Sequence, residues 1–135
     1  MAYFDWKEDY SVGISSIDTH HKKMIGLLNE SIEAFENGLG EPAIRGILSN
    51  LEQYSIYHFS QEEILFQEQG YKKVKGHGKE HELYIRKIGS LKALASSRED
   101  EAFVRTAESL MAWLEAHILK DDRDYADFIV KKERK

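Results

Sequence analysis

Histidine and carboxylate side chains recur along this sequence at spacings that suit metal binding. His58 and Glu62 stand four residues apart, as do His77 and His81. Residues four apart lie on one face of an α-helix, so each pair can direct two ligand atoms to a single ion. Imidazole and carboxylate both bind first-row transition metals. Each of these pairs therefore predicts part of a metal site.

A third pair, His117 and Asp122, has a less regular spacing. Five residues correspond to about 140° around an ideal α-helix, so the two side chains do not share a face. They can reach one centre only if the helix ends or loosens near Lys120. This pair alone is weak evidence for a metal site, because its role depends on a local irregularity in the helix.

Each of these features also has an ordinary structural explanation. One histidine–carboxylate pair at helical spacing is more often a surface salt bridge, and His77, between two glycines, can be a turn residue. However, five histidines fall on apolar stripes, with at least one on each predicted helix. Without a metal, five imidazoles and two carboxylates would be buried with no evident partner. The predicted metal ligands are His21, His58, Glu62, His77, His81, His117 and Asp122.

The number and type of these ligands indicate the metal. Seven side chains are too many for one tetrahedral zinc ion and too rich in nitrogen for magnesium or calcium. The sequence has no cysteine, which excludes thiolate sites and iron–sulfur clusters. Two octahedral irons offer about twelve positions, and five imidazoles, two bridging carboxylates and a bridging hydroxide fill about eleven. About one position then stays open for a small ligand.

Apolar residues recur at helical spacing in four long stretches, which predicts the elements that position these ligands. The first helix is expected from about Ile17 to Phe35, with Ser15 or Ser16 near its N-cap. The later helices are expected between Pro42 and Gly70, after the glycine-rich passage 70–78, and from near Phe103 to Ile118, followed by a shorter C-terminal piece with Tyr125, Phe128 and Ile129.

Four helices with short connections predict an all-α fold: an up-down-up-down antiparallel four-helix bundle with an N-terminal arm and a short C-terminal helix. In such a bundle, sites are built from side chains on facing helices. The length of 135 residues and the 41% hydrophobic content suit one core, so residues 1–135 are expected to form a single domain. Residues Lys131 to Lys135 are expected to be a frayed basic tail.

Charge and hydropathy exclude several classes of partner. The net charge of −5 gives no electrostatic reason to expect nucleic acid or an anionic membrane surface. The sequence lacks the run of about 18 apolar residues that a membrane-spanning helix needs. The first ten residues also lack the cationic segment and apolar run of a secretory signal. The protein is therefore expected to be cytoplasmic, with no membrane span and no nucleic-acid partner.

Four motifs stand in a fixed order along the chain. They are Ile17-Asp18-Thr19-His20-His21, His58-Phe59-Ser60-Gln61-Glu62, His77-Gly78-Lys79-Glu80-His81 and the segment from Trp113-Leu114 through His117-Ile118 to Asp121-Asp122. This ordered set resembles the hemerythrin family over the whole chain, and in particular its single-domain bacteriohemerythrins. All seven ligand positions of the family are filled.

The resemblance implies a di-iron centre with a bridging oxo or hydroxo group. One iron would be coordinatively filled by three histidines, and the other would hold two histidines and the vacancy where dioxygen binds. The implied ligands are His77, His81 and His117 for the filled iron, His21 and His58 for the other, and Glu62 and Asp122 as bridges. A dry apolar pocket protects bound oxygen. The expected pocket residues are Met24, Phe59, Trp113, Leu114 and Ile118, with Trp6 nearby.

One position departs from the family's pattern. Many relatives carry glutamine or glutamate where this chain has His20. A carboxamide or carboxylate there can accept the ring N–H of a ligand and fix its tautomer, the usual role of groups just outside a metal's ligand set. We expect His20 to fill this role poorly or not at all.

The resemblance implies reversible dioxygen binding, for oxygen carriage, storage or delivery, and no catalysis. Delivery implies an oxygen-consuming protein partner, which the sequence does not identify. Two alternatives use the same site: a di-iron enzyme such as an oxidase, peroxidase or nitric oxide reductase, and an oxygen or redox sensor. The enzyme is disfavoured because the expected pocket offers no acid–base residue beyond the ligands. The sensor is disfavoured because the sequence carries no output domain.

Overall fold

The computed structural model describes residues 4–70, 77–97 and 100–133. Within these helices the side chains of residues 69, 77, 78, 96, 97, 100, 120, 121, 125 and 130–133 are not described. The elements are α1 (Ser15–Glu36), α2 (Glu41–Gln69), α3 (His77–Ser97), α4 (Asp100–Ala116) and α5 (Arg123–Glu133), with a 3₁₀ turn at Glu8–Tyr10 and a π-helical turn at His117–Asp122.

The four long helices pack in chain order around a common core. Each of them contacts the next, and α4 returns to contact α1. Because consecutive helices are joined by short connections, neighbours run antiparallel. No strand occurs in the described ranges. The prediction of an all-α, up-down-up-down bundle with an N-terminal arm and a short C-terminal helix is confirmed. None of the helices in these ranges combines the length and apolar character needed to cross a membrane.

The buried residues of the bundle differ in character along its length: one part is apolar and the other contains polar side chains. Phe35, near the end of α1, stacks on Phe103, near the start of α4, with ring centroids 4.0 Å apart. Leu48 and Leu91 are fully buried, and each such side chain contributes about 1.5–3 kcal/mol on burial. His21 lies 14 residues before Phe35, or about 21 Å along α1. Apolar packing therefore holds one end of the bundle, and the buried histidines lie towards the other.

The start of α1 differs from the expectation. Neither Ser15 nor Ser16 is the N-cap: Ile14 occupies that position, without a capping side chain. Instead, the carboxylate of Asp18 in the first helical turn reaches back and accepts the backbone N–H of Val12 at 2.9 Å. A negative charge in the first turn also complements the helix dipole. Asp18 therefore fixes how the N-terminal arm enters α1.

Glycine residues follow the ends of the first two helices. The last helix, α5, extends further than the sequence predicted. Gly38 and Gly70 have positive φ angles of 74° and 69°, a conformation that glycine adopts without steric cost. The predicted end of the second helix at Gly70 is confirmed. The predicted frayed tail from Lys131 is wrong as far as Glu133, because α5 continues to that residue. Its buried Ala126 and Ile129 give α5 an apolar face that packs on the core.

Candidate metal centre

Helices α1, α2 and α3 and the π-helical turn that follows α4 bring the described members of the predicted ligand set to one place. Six of the seven predicted ligands are described with their side chains, and none of the six is more than 6% exposed: His21 on α1, His58 and Glu62 on α2, His81 on α3, and His117 and Asp122 on the π-helical turn. His77, the seventh, begins α3 one turn before His81, but its side chain lies outside the described part of the structure.

One group of ligand atoms gathers between α1, α2 and the π-helical turn. His21 Nε2 lies 2.8 Å from Asp122 Oδ2, and His58 Nε2 lies 2.7 Å from Glu62 Oε1. Ligand atoms of these four residues all lie within 4.8 Å of one another. Such a group can hold one metal ion with two nitrogen and two oxygen ligands.

A second group lies beside the first and shares its carboxylates. Glu62 Oε2 lies 3.5 Å from His81 Nε2 and 3.9 Å from His117 Nε2. The other oxygen of Asp122, Oδ1, lies 3.0 Å from His117 Nε2. Each carboxylate therefore turns one oxygen to each group. This is the arrangement of a carboxylate that bridges two metal ions.

The π-helical turn explains how His117 and Asp122 converge. In a π-helix each backbone N–H bonds to the carbonyl five residues earlier, so the turn holds one more residue than an α-helical turn. The turn spans His117 to Asp122, and it brings His117 Nε2 to 3.0 Å from Asp122 Oδ1. The expectation that the helix loosens near Lys120 is confirmed. Single π-helical turns often occur at functional sites.

His21, Glu62 and Asp122 lie close to other ligand atoms of the centre without hydrogen bonds among the described residues. Within the described residues, both nitrogens of His21 and both carboxylate oxygens of Glu62 and Asp122 are buried and have no hydrogen-bond partner. Such burial costs free energy unless something else satisfies the groups. Ligand atoms at adjacent corners of an octahedral ion, each about 2.1 Å from it, stand about 3 Å apart. The observed 2.7–3.0 Å approaches fit a metal.

The charge state of Glu62 also suits ligation. Burial raises the pKa of its carboxyl, but the charge of His58 and the close imidazoles of His117 and His81 outweigh burial and hold that pKa well below its usual range. Glu62 is therefore a carboxylate at neutral pH. Metal ligands must be deprotonated, and an ionised Glu62 meets that requirement.

Outside the ligand atoms, three imidazoles direct their second nitrogen to a neighbouring group. His58 Nδ1 lies 2.8 Å from His20 Nδ1, His117 Nδ1 lies 3.3 Å from Glu80 Oε2, and His81 Nδ1 lies 3.9 Å from Glu63 Oε1. His20, which we expected to contribute little, thus contacts a predicted ligand directly. The sequence analysis missed Glu63 and Glu80, although each directly adjoins a predicted ligand in sequence.

Aromatic side chains stack on two of the imidazoles. Phe59 stacks on His81 with centroids 3.7 Å apart and planes 5° apart, and Trp113 stacks on His117 at 4.8 Å and 10°. Stacking restricts ring rotation and so helps to aim the nitrogens. The other three predicted pocket residues are at most 1% exposed: Met24, Leu114 and Ile118.

Comparison with known proteins agrees with this geometry. The family model described as "Hemerythrin HHE cation binding domain" matches residues 12–129. A bacteriohemerythrin of Clostridium acetobutylicum is 30% identical over 128 residues, covering 92% of this chain and 99% of the relative. One from Pseudomonas aeruginosa (strain LESB58) is 33% identical over 129 residues, covering 96% and 83%, and one from Stenotrophomonas maltophilia is 31% identical over 127 residues, covering 94% and 82%. With its histidines and carboxylates gathered as a cation-binding domain requires, the chain belongs to the hemerythrin family.

Proposed function

We propose that the protein binds dioxygen reversibly at a centre of two iron ions, for oxygen carriage, storage or delivery. The observation that carries this proposal is the double-sided placement of the carboxylates of Glu62 and Asp122. Each has one oxygen near an imidazole of the first group and the other near an imidazole of the second. Two cations sharing these carboxylates would satisfy all four buried oxygens at once.

Among the described side chains, each group offers two imidazoles. His21 and His58 belong to the first group, whereas His81 and His117 belong to the second. We propose His77 as a third imidazole of the second group, on the strength of its position one turn before His81. The first ion would then have the open position for a small ligand. When bound, a pair of ferrous ions supplies two electrons to dioxygen and recovers them when dioxygen leaves.

Three of the predicted pocket residues carry apolar side chains, which favours reversible binding over onward reaction. Met24, Leu114 and Ile118 are almost fully buried and supply no proton donor. Excluding water and protons protects a reduced oxygen ligand from side reactions. A groove of about 350 Å³ between α2 and α3 reaches Phe59 and His81 from the surface. The relatives named bacteriohemerythrins agree with this proposal.

The test is an anaerobic preparation loaded with ferrous iron and then exposed to dioxygen. We expect a visible absorption band that appears with dioxygen uptake matching the number of iron pairs, and that disappears on purging with inert gas over repeated cycles. Protein loaded with zinc, which has no redox chemistry, is the control and should show no band. Irreversible oxidation without oxygen release would contradict the proposal. Sustained consumption of oxygen, peroxide or nitric oxide with a reductant would identify an enzyme instead.

A further inference from the structure

We infer that His20 is a positioning residue for the metal centre: its imidazole accepts a hydrogen bond from His58 Nδ1 and so keeps the His58 Nε2 lone pair directed at the metal. The inference rests on the proposed metal centre, and it does not depend on dioxygen being the ligand. His20 itself has no part in ligation. It acts through the orientation and tautomer of His58.

The contact between the rings of His20 and His58 restricts which nitrogen can carry the proton. The two Nδ1 atoms are 2.8 Å apart, and the ring planes are 89° apart. At this distance one nitrogen carries the proton and the other accepts it. If His58 donates, its Nε2 carries no proton and faces Glu62 Oε1 at 2.7 Å with a free lone pair. If His20 donated instead, His58 Nε2 would carry the proton and could not bind a metal.

Packing that is independent of any metal fixes the position of His20. Its ring meets Tyr54 edge-on at 5.8 Å and Tyr57 at 5.6 Å, and these edge-to-face contacts are a favoured aromatic geometry. Both tyrosines precede His58 on α2, at one and four residues before it. The same helix that carries the ligand thus supplies both contacts of His20, from Tyr54 one turn before His58 and from Tyr57 directly before it. His20 is therefore preorganised as an acceptor before a metal arrives.

The group that faces Nδ1 of His58 differs in kind from the groups that face Nδ1 of His81 and His117. His117 and His81 face the carboxylates of Glu80 and Glu63, whereas His58 faces a second imidazole. A carboxylate acceptor makes a ligand imidazole more basic than an uncharged acceptor does. His20 therefore orients His58 without adding negative charge on that side of the centre.

Two variants distinguish the role of His20 as a hydrogen-bond acceptor from the role of its ring in packing. His20→Phe keeps an aromatic ring for Tyr54 and Tyr57 but removes the acceptor, and His20→Gln keeps an acceptor without the ring. We expect His20→Phe to lower the affinity for cobalt(II), measured by chelator competition, by about 10–100-fold. His20→Gln should restore most of it. Tyr57→Phe, which keeps the packing and leaves His20 in place, is the control and should bind as the parent does.

A spectroscopic measurement checks the proton directly. In the cobalt(II)-loaded protein, the His58 Nδ1 proton should exchange slowly with solvent by NMR, and in His20→Phe it should exchange faster. Thermal unfolding of the metal-free variants shows that each is folded. Parental affinity in His20→Phe, equal losses in His20→Phe and His20→Gln, or unchanged proton exchange would each overturn the inference. Failure of reversible oxygenation alone would count against the proposed function and leave this metal-binding pattern intact.

Discussion

At the scale of single residues, two carboxylates define the centre. Asp122 places its oxygens at 2.8 Å from His21 and 3.0 Å from His117, although these imidazoles lie on α1 and on the π-helical turn. Glu62 makes the same connection between His58 and His81. Replacing a residue that contacts only one group removes a ligand atom from that group and leaves the other group unchanged. Loss of either carboxylate oxygen breaks the link between the two groups.

The first prediction concerns Glu62→Gln. The amide keeps the shape and one acceptor oxygen, but its NH₂ group cannot bind a cation. We expect at least a tenfold loss of iron affinity, equivalent to about 1.4 kcal/mol or more, and fewer bound irons per chain. Elemental analysis and chelator competition measure both quantities. Glu68→Gln, an exposed substitution on the same helix, is the matched control, and equal iron content in the two variants would contradict the bridging role.

The residue types and spacings predicted which side chains gather, because helical periodicity places them on one face. His58 and Glu62 are one helical turn apart, so their convergence requires only that α2 be a helix. The contact between His20 and His58 spans 38 positions in the chain, and it depends on how α1 is rotated against α2. Local spacing carries no information on that rotation. The partners just outside the ligand set therefore required the structure.

At the scale of elements, the N-terminal arm contacts both ends of the π-helical turn. Tyr10 in the arm donates its hydroxyl to Glu115 Oε2 at 2.6 Å, just before the turn. Burial, together with this contact to Glu115, raises the pKa of Tyr10 to about 12, so Tyr10 remains a neutral donor at physiological pH. Just after the turn, Arg123 donates to the backbone carbonyls of Asp9 and Ser11. The arm thus restrains the segment that carries His117 and Asp122.

The second prediction tests this restraint with Arg123→Gln. Loss of the charged donor should lower the free energy of unfolding by about 1.5 kcal/mol and speed metal release, because the π-helical turn is less restrained. Chemical denaturation and stopped-flow chelation measure the two effects. The control is Arg105→Gln, which removes an exposed ion pair with Glu101 on α4 and should cost less than about 0.5 kcal/mol. Identical metal-release rates in the two variants would show that the arm does not restrain the turn.

The sequence predicted the four helices and the irregularity near Lys120, because apolar periodicity and a five-residue ligand spacing are both patterns among residues close together in the chain. It did not predict the attachment of the arm. Tyr10 and Glu115 are 105 positions apart, and neither has a distinctive local pattern. The cap of α1 was also wrong, because the Asp18 contact to Val12 depends on the path of the arm. Long-range polar contacts of this kind have no periodic signal.

At the scale of the whole molecule, folding and metal binding share one free-energy balance. The stacked pair Phe35 and Phe103 and its apolar neighbours stabilise one part of the bundle without a metal. The part around His21, Glu62 and Asp122 instead buries polar atoms that lack hydrogen-bond partners among the described residues. This unequal distribution predicts that metal-free protein folds with reduced stability, and that the loss is concentrated near the π-helical turn.

The last prediction is therefore that removing the metal lowers the melting temperature of the protein, and that the melting temperature rises with the concentration of added metal. A ligand that binds only the folded state stabilises it by about 2.7 kcal/mol at a free concentration one hundred times its dissociation constant. For a chain of this size each kcal/mol moves the melting temperature by roughly 3–5 °C. Calorimetry across an iron or cobalt(II) titration should show that rise, with a smaller rise in Glu62→Gln. Because binding to the unfolded chain would reduce the shift, a melting temperature independent of metal in both proteins would mean that these buried side chains form no metal-linked centre.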